Sequence, residues 1–287
     1  MSKTTQIEQP VSMGDIGKRG RGGNSLHGNS LPLDNIAFYV INLDRSTDRM
    51  EQFTKDFASF PVPFIRVPAI EGKNLTIPVE GYDAFMFFLN VGREASPGEI
   101  GCYISHIKAL KLFLESGKPF GMICEDDAMP IPESYEAVKQ AIAHADTWDL
   151  LRLYGGRAKT SFPYQELTAT HNLCTSITGM VPAAAYVVNR CAAQKLVQRL
   201  LPITDLYDSA LHHGRCGIRE STVFPNCLLR GENQANSTLG YGYKRNLQPW
   251  NLVYWTSRLF RLRVRIVRYS LQLFRLIRRR FLRRSTG

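Results

Sequence analysis

"NIAFYVINL", residues 35–43, is an almost unbroken apolar run rich in β-branched and aromatic side chains. Such a run offers no polar face to water, so it reads as a central strand buried on both sides. "RSTDRMEQFTKDFASF" (45–60) follows, with Met50, Phe53 and Phe57 at helical spacing, and "PFIRVPAI" (63–70) reads as a second strand. A strand, a helix and a strand in that order open a parallel α/β sheet.

Working outward, "ASPGEIGCYISHIKALKLFLES" (95–116) carries a helix start. Ser96 is the N-cap, Pro97 takes the first helical position, and Glu99 completes a Ser-x-x-Glu capping box. Ile100, Ile104, Ile107 and Leu110 to Leu114 supply the apolar face, and Gly117 ends it. "PFGMIC" (119–124) is the next strand, and it runs directly into Glu125, Asp126 and Asp127. "WDLLRLYG" and "ITGMVPAAAYVV" read as further strands, and Asn189 caps a helix from Arg190 to Leu201. Residues 202–250 mix turns and short elements without a clear period. The expected organisation is a disordered polar, glycine-rich leader (1–34), an α/β domain with a mostly parallel sheet (35–250) and a basic tail (251–287). The leader lacks GxxxxGK[ST], which argues against a phosphate loop there.

The net charge of +11 belongs to one segment. Residues 255–287 hold eleven arginines and no acid, while the other 254 residues carry 25 basic and 25 acidic side chains. At 100° per residue, Arg258, Arg261, Arg265, Arg268, Arg275 and Arg279 share one side of a helix. Leu259, Leu262, Ile266, Tyr269, Leu273 and Leu276 share another, with Phe274 and Ile277; Arg263 breaks the pattern. Such a helix, about 40 Å long at ~1.5 Å per residue, is too charged to span a bilayer and suits the interface, arginines toward anionic headgroups. A partner helix and nucleic acid are the competing readings; the broad apolar face and the lack of an aromatic RNA motif disfavour nucleic acid. The six cysteines form no CxxC pair, and nothing N-terminal has a signal peptide's apolar core, which fits a reducing, cytoplasmic setting. Neither His171-x-x-Cys174 nor the His212–His213 pair has a complement at zinc spacing.

The chemistry concentrates at the acidic triplet. In open α/β sheets ligands bind beyond the carboxyl ends of the strands, where these three acids fall. Alternation puts Glu125 and Asp127 on one side and turns Asp126 away. A hard divalent cation takes carboxylate and phosphate oxygens together, so such a pair plus metal makes a diphosphate clamp. Asn42, Arg45 and Arg49 follow the first strand, where a nucleobase and phosphates are held in many α/β sites; surface ion pairs to Asp44 or Asp48 are the alternative.

"GEIGCYISHIKAL" followed by "ICEDD" resembles glycosyltransferase family 25, bacterial lipooligosaccharide galactosyltransferases and related collagen-modifying enzymes. "FYVINLDRSTDRM", "FIRVPAIEGKNL", "AAAYVVNRCAAQKL", "PITDLYD" and "NQANSTLG" are similar to further segments of that family in the same order, covering about residues 36–240. The resemblance implies a GT-A-like nucleotide-sugar domain and inverting transfer of a hexose, most often galactose, from a UDP-sugar. It implies Mn2+ or Mg2+ held by Asp127 first, with Glu125 on metal or ribose and Asp126 least defined. Ser105 and His106 would contact donor or acceptor. The base taking the acceptor proton would be Asp205, in preference to Asp208; Asp149, before a strand, reads as structural. The triplet departs from Asp-x-Asp, and "RGENQANS" lacks the histidine expected near the late Asn-Ser element, leaving Gln234, Asn236 or water for the next metal ligand. Body and tail together suggest an enzyme peripheral to the cytoplasmic face of the membrane, extending a lipid-linked oligosaccharide. The rival is a non-catalytic membrane-bound adaptor on a decayed sugar-nucleotide fold.

Overall fold

A computed structural model describes residues 35–76, 78–155, 160–178, 182–212, 216–231 and 251–284. The expected leader, Gln234, Asn236 and His213 lie outside them. The opening reading holds: β1 (Ile36–Asn42) is buried at every residue and runs parallel to β2 (Phe64–Pro68), with α1 (Thr47–Asp56) between them in sequence. Side chains of β1 alternate between two cores. Phe38 and Val40 join Phe53 of α1 and Phe57 just after it, whereas Tyr39 and Ile41 join Tyr103, Ile107 and Leu110 of α3 (Pro97–Glu115) on the other face.

The capping box of α3 is complete: Ser96 accepts from the Glu99 amide, and Glu99 reaches back to the Ser96 amide. Glycine in this segment answers a close approach. A Cβ on Gly101 would stand 2.4 Å from the Ile70 carbonyl oxygen, and one on Gly72 would stand 2.1 Å from that of Pro97. The loop after β2 can lie this tightly on α3 only because both positions lack side chains.

α2 (Ala84–Val91) precedes α3, which returns the chain to β3 (Phe120–Glu125), parallel to β1. Next come β4 (Ala128–Pro130), α4 (Ser134–Ala143), β5 (Leu150–Arg152), β6 (Thr160–Glu166), β7 (Asn172–Thr178), β8 (Ala185–Asn189), α5 (Arg190–Arg199), α6 (Tyr207–His212), β9 (Glu220–Phe224), β10 (Leu228–Arg230) and α7 (Leu252–Arg284). Asn189 caps α5 by accepting from the Ala192 amide. The large sheet has the order β2-β1-β3-β8-β5-β9-β7-β6. It is mixed, which corrects the expectation of a mostly parallel sheet. β1 with β2, β1 with β3, and β5 with β9 are parallel, but β8 runs antiparallel to both β3 and β5, and β7 to both β6 and β9. A continuous apolar run such as that of β8 specifies burial on both faces and carries no information on direction. Apart from the large sheet, β4 and β10 form a two-stranded antiparallel ribbon in which Arg230 faces Ala128 across the pair.

α7 is a continuous helix of 33 residues, as the arginine periodicity predicts, but it turns the opposite way. Lying along α2 and β7, it directs Arg268, Arg275 and Arg279 at the domain. Arg275 donates to the Ile218 carbonyl (2.7 Å) and Arg279 to that of Thr147 (2.8 Å), with its guanidinium 3.5 Å above the Tyr164 ring. Leu259, Leu262, Ile266, Leu273, Phe274 and Ile277 are left exposed. The arginines find fixed carbonyls and a ring face at the sheet edge, partners an aliphatic side chain cannot use. No helix among the described residues is long and apolar enough to cross a membrane.

Candidate active site

Glu125 closes β3, and its amide donates to the Ala184 carbonyl at 2.8 Å, which anchors the strand end to β8's approach. Asp126 and Asp127 form the turn into β4. As the alternation predicts, the acids part company. One guanidinium reaches both Glu125 and Asp127: Arg230 Nη2 is 3.0 Å from Glu125 Oε2, and Arg230 Nε is 2.5 Å from Asp127 Oδ2. Asp126 faces the other way, where Asn42 Nδ2 donates to its Oδ2 (2.7 Å) and Arg49 Nη1 pairs with its Oδ1 (3.1 Å).

Asn42, the last residue of β1, is a junction. Its amide nitrogen also donates to the Ser46 carbonyl, and its oxygen accepts from Arg66 Nε at 2.8 Å. Arg66 in turn pairs with Asp44 at 2.6 Å. A cleft of about 380 Å³ opens beside this junction, lined by Asn42, Asp44, Thr47, Met50 and Arg66 among others. Arg45 stands on the surface, paired with Glu71 at 2.6 Å.

Beneath Glu125 lies His106 of α3. Its ring stacks on Tyr207 (centroids 4.2 Å apart, planes 10° apart) and its Nδ1 lies 3.3 Å from the Tyr186 hydroxyl. The Tyr186 and Tyr207 hydroxyls are 2.9 Å apart. His106 Nε2 points at Glu125 Oε1 from 3.6 Å, beyond hydrogen-bond range, and has no other partner although the residue is buried. Cys102, one turn earlier on α3, brings its thiol close to the same histidine and glutamate. Ser105 is spent on the scaffold: its hydroxyl accepts from the Ile70 amide (2.8 Å) and donates to the Gly101 carbonyl (2.6 Å) at complete burial. Its one proton is thus used and the side chain is fully buried, which gives it no exposed donor for a ligand.

The electrostatics follow from this crowding. Burial raises the Glu125 pKa, but His106 and Arg230 outweigh it and hold the carboxyl below its usual range. Asp127 is pushed up, by burial first and then by the charge of Glu125, against the pull of Arg230. Asp126 is pushed up to about 6, because burial outweighs Arg49 and Asn42. Asp208 is raised as well, by burial first and then by the charge of Glu125. The Asp208 Oδ1 accepts from the Ala183 amide at 2.7 Å. Asp205 is buried and accepts from the Leu206 amide. Of the two, Asp208 is the one whose carboxyl feels the charges of Glu125 and His106. Asp149 is structural, as expected, accepting from the Arg219 amide and side chain.

Arg230, Tyr186 and Tyr207 were not singled out by sequence reasoning. The tyrosines fall in the stretches that carry the family resemblance, so a signal existed for them. Nothing local marks Arg230, which reaches Asp127 across 103 residues through a three-residue strand.

A divalent cation would find two hard carboxylate donors here, and Asp127 Oδ1 is buried without a hydrogen-bond partner, as an unmet ligand atom would be. The donor set fits such an ion, although Arg230 already neutralises the same pair.

Among known proteins, residues 35–211 match the family described as glycosyltransferase family 25 (LPS biosynthesis protein). A glycosyltransferase 25 family member of Anopheles gambiae is 25% identical over 192 residues, 61% of this chain and 32% of its own length. Procollagen galactosyltransferase 1 of Danio rerio is 22% identical over 181 residues, 58% of this chain and 30% of its own. The chain thus spans about a third of the length of these curated relatives. Among solved structures, A197 from STIV is similar at a TM-score of 0.33 and 10% identity, over 65% of this chain and 80% of that one. With the match running from the first residue of β1's approach to the body of α6, and with the acidic strand end inside it, the chain belongs to glycosyltransferase family 25.

Proposed function

We propose that the chain transfers a hexosyl group, galactosyl in the first instance, from a UDP-sugar to a glycan acceptor on a GT-A-like domain. The observation that carries this reading is the paired carboxylate site, Glu125 and Asp127, at the carboxyl end of a buried strand, where the Arg230 side chain holds both acids. Glu125 and Asp127 would hold Mn2+ or Mg2+, and a bound ion would neutralise the diphosphate as it leaves. Asp126 keeps both oxygens on Asn42 and Arg49, so it orients the end of β1 rather than competing for a ligand. The cleft beside Asn42 suits the nucleoside, with Arg66 on its wall supplying positive charge.

Transfer with inversion needs an acceptor hydroxyl to attack the sugar's anomeric carbon opposite the leaving diphosphate. The new C–O bond forms as the bond to the diphosphate oxygen breaks, and the hydroxyl proton passes to a carboxylate. Asp205 and Asp208 are the candidates for that proton, Asp208 being the one close enough to Glu125 and His106 to feel their charge. His106, stacked on Tyr207, stands beside the Glu125 carboxylate, which Arg230 holds in place. A screen of UDP-galactose, UDP-glucose and UDP-N-acetylhexosamines on a lipooligosaccharide acceptor, with and without Mn2+, tests the reading. Transfer from one donor supports it. No transfer and no UDP binding by calorimetry favours the non-catalytic adaptor.

The outward apolar row of α7, with Arg258, Arg263, Arg265 and Arg278 also exposed, supports attachment to an anionic membrane surface. Aliphatic side chains would enter the interface while these arginines meet headgroups, and Arg268, Arg275 and Arg279 keep the helix on the domain. A lipid-linked acceptor at the cytoplasmic leaflet would suit such attachment. Cosedimentation with phosphatidylglycerol vesicles tests it; binding equal to that on phosphatidylcholine would remove the arginines from the account.

A further inference from the structure

The acidic pair has an occupant. β10 pairs with β4 so that Arg230 stands opposite Ala128, and the Gly231 amide donates to the Asp127 carbonyl at 2.9 Å. The backbone carrying the arginine is therefore fastened to the same turn that carries the acids. From there the side chain lays Nε on Asp127 and Nη2 on Glu125, and all three side chains are at most one-fifth exposed. Guanidinium is the one side-chain cation whose forked, planar donors match two carboxylates at once. A divalent ion held by Glu125 and Asp127 would need their oxygens as ligands in place of the N–H donors. It would also bring like charge against the guanidinium.

We propose that Arg230 and a divalent cation are mutually exclusive occupants of the Glu125–Asp127 pair, Arg230 being the resident counter-ion that metal must displace. The proposal rests on the transferase reading only for the identity of the incoming ion. It explains how two adjacent carboxylates persist at low exposure before any ligand arrives: one guanidinium neutralises part of their charge. It also explains why Asp127 Oδ1 is left over, since a single fork cannot serve both oxygens of both acids. Displaced, the guanidinium becomes a forked donor suited to phosphate oxygens, so metal entry would exchange a carboxylate-bound arginine for a phosphate-binding one.

The test is Mn2+ titration calorimetry on the full chain and on Arg230→Gln and Arg230→Lys, in parallel with UDP titration of the wild type. Tighter Mn2+ binding by Arg230→Gln, by about tenfold or more, with Arg230→Lys between, is the expected result. Equal or weaker binding by Arg230→Gln, or no Mn2+ binding by any of the three, overturns the exclusion. UDP binding by the wild type decides the transferase reading separately, whichever way the Mn2+ series falls. Should Arg230→Gln fail to fold, NMR of the wild-type Arg230 Nε–H gives the answer. Saturating Mg2+ should abolish its protection from solvent exchange, and unchanged protection overturns the proposal.

Discussion

The acidic turn after β3 and the arginine-rich helix α7 both crowd like charge into a short span, and the molecule settles them by different means. At the turn, each acid meets side chains from elsewhere: Arg230 for Glu125 and Asp127, Arg49 and Asn42 for Asp126. On α7, Arg275 meets a backbone carbonyl, and Arg279 a carbonyl and an aromatic face. Carbonyls stabilise a guanidinium without cancelling its charge, so α7 keeps a positive field that the acidic turn, partly neutralised, does not. A site that must accept a cation and release it suits the first arrangement; a surface that must attract anions from a distance suits the second.

The largest effect should come from breaking the acidic pair. Asp127→Ala should lower sugar transfer by about a hundredfold or more, roughly 2.7 kcal/mol of transition-state stabilisation, in a donor-saturated rate measurement. Transfer that survives unchanged would remove the pair from catalysis. A comparable change on α7 should act on location alone. Leu262→Asp with Ile266→Asp removes two outward side chains, together about 3 kcal/mol of interfacial burial, so vesicle affinity should fall on the order of a hundredfold. Transfer to a soluble acceptor should stay the same, and parallel loss of both would mean α7 is part of the catalytic body.

Smaller effects sharpen how the arginines are settled. Arg279→Ala removes the donation to Thr147 and the contact with Tyr164, and should cost about 1–2 kcal/mol in urea unfolding. No loss would place α7 on the domain by other contacts. The Asp149–Arg219 pair (2.8 Å), on a more exposed edge, calibrates an ordinary ion pair. Burial raises the Asp149 pKa, but Arg219 outweighs it and the folded value lies below the usual one. Its contribution is therefore present above the unfolded pKa of about 3.9 and lost as pH falls through the lower folded value. Asp149→Asn should destabilise by about 1 kcal/mol at pH 7, and that difference should shrink below about pH 4. A difference independent of pH would mean that the hydrogen bonds matter and the charge does not.

Much of this was legible in the chain because it is local. The capping box of α3, the cap at Asn189, the buried β1 and the amphipathic period of α7 depend on residues a few positions apart, and each stands where the sequence indicates. So does the parting of Asp126 from its neighbours, although the turn after Glu125, and not an extended chain, produces it. Strand direction was not legible, since the apolar run of β8 fits either polarity.

Sequence by itself determined β1, α1, β2, α3, β3, the cap of α5, the acidic strand end and the family resemblance, for these rest on short-range spacing and on residue types quoted in order. Only the tertiary structure decided what the acids touch, which aspartate shares their field, and which side of α7 faces the domain. Those are matters of partners brought from 80 to 132 residues away. A side chain's periodicity says that it has a face; only the surface packed against it says whether a guanidinium or a leucine is the better fit there.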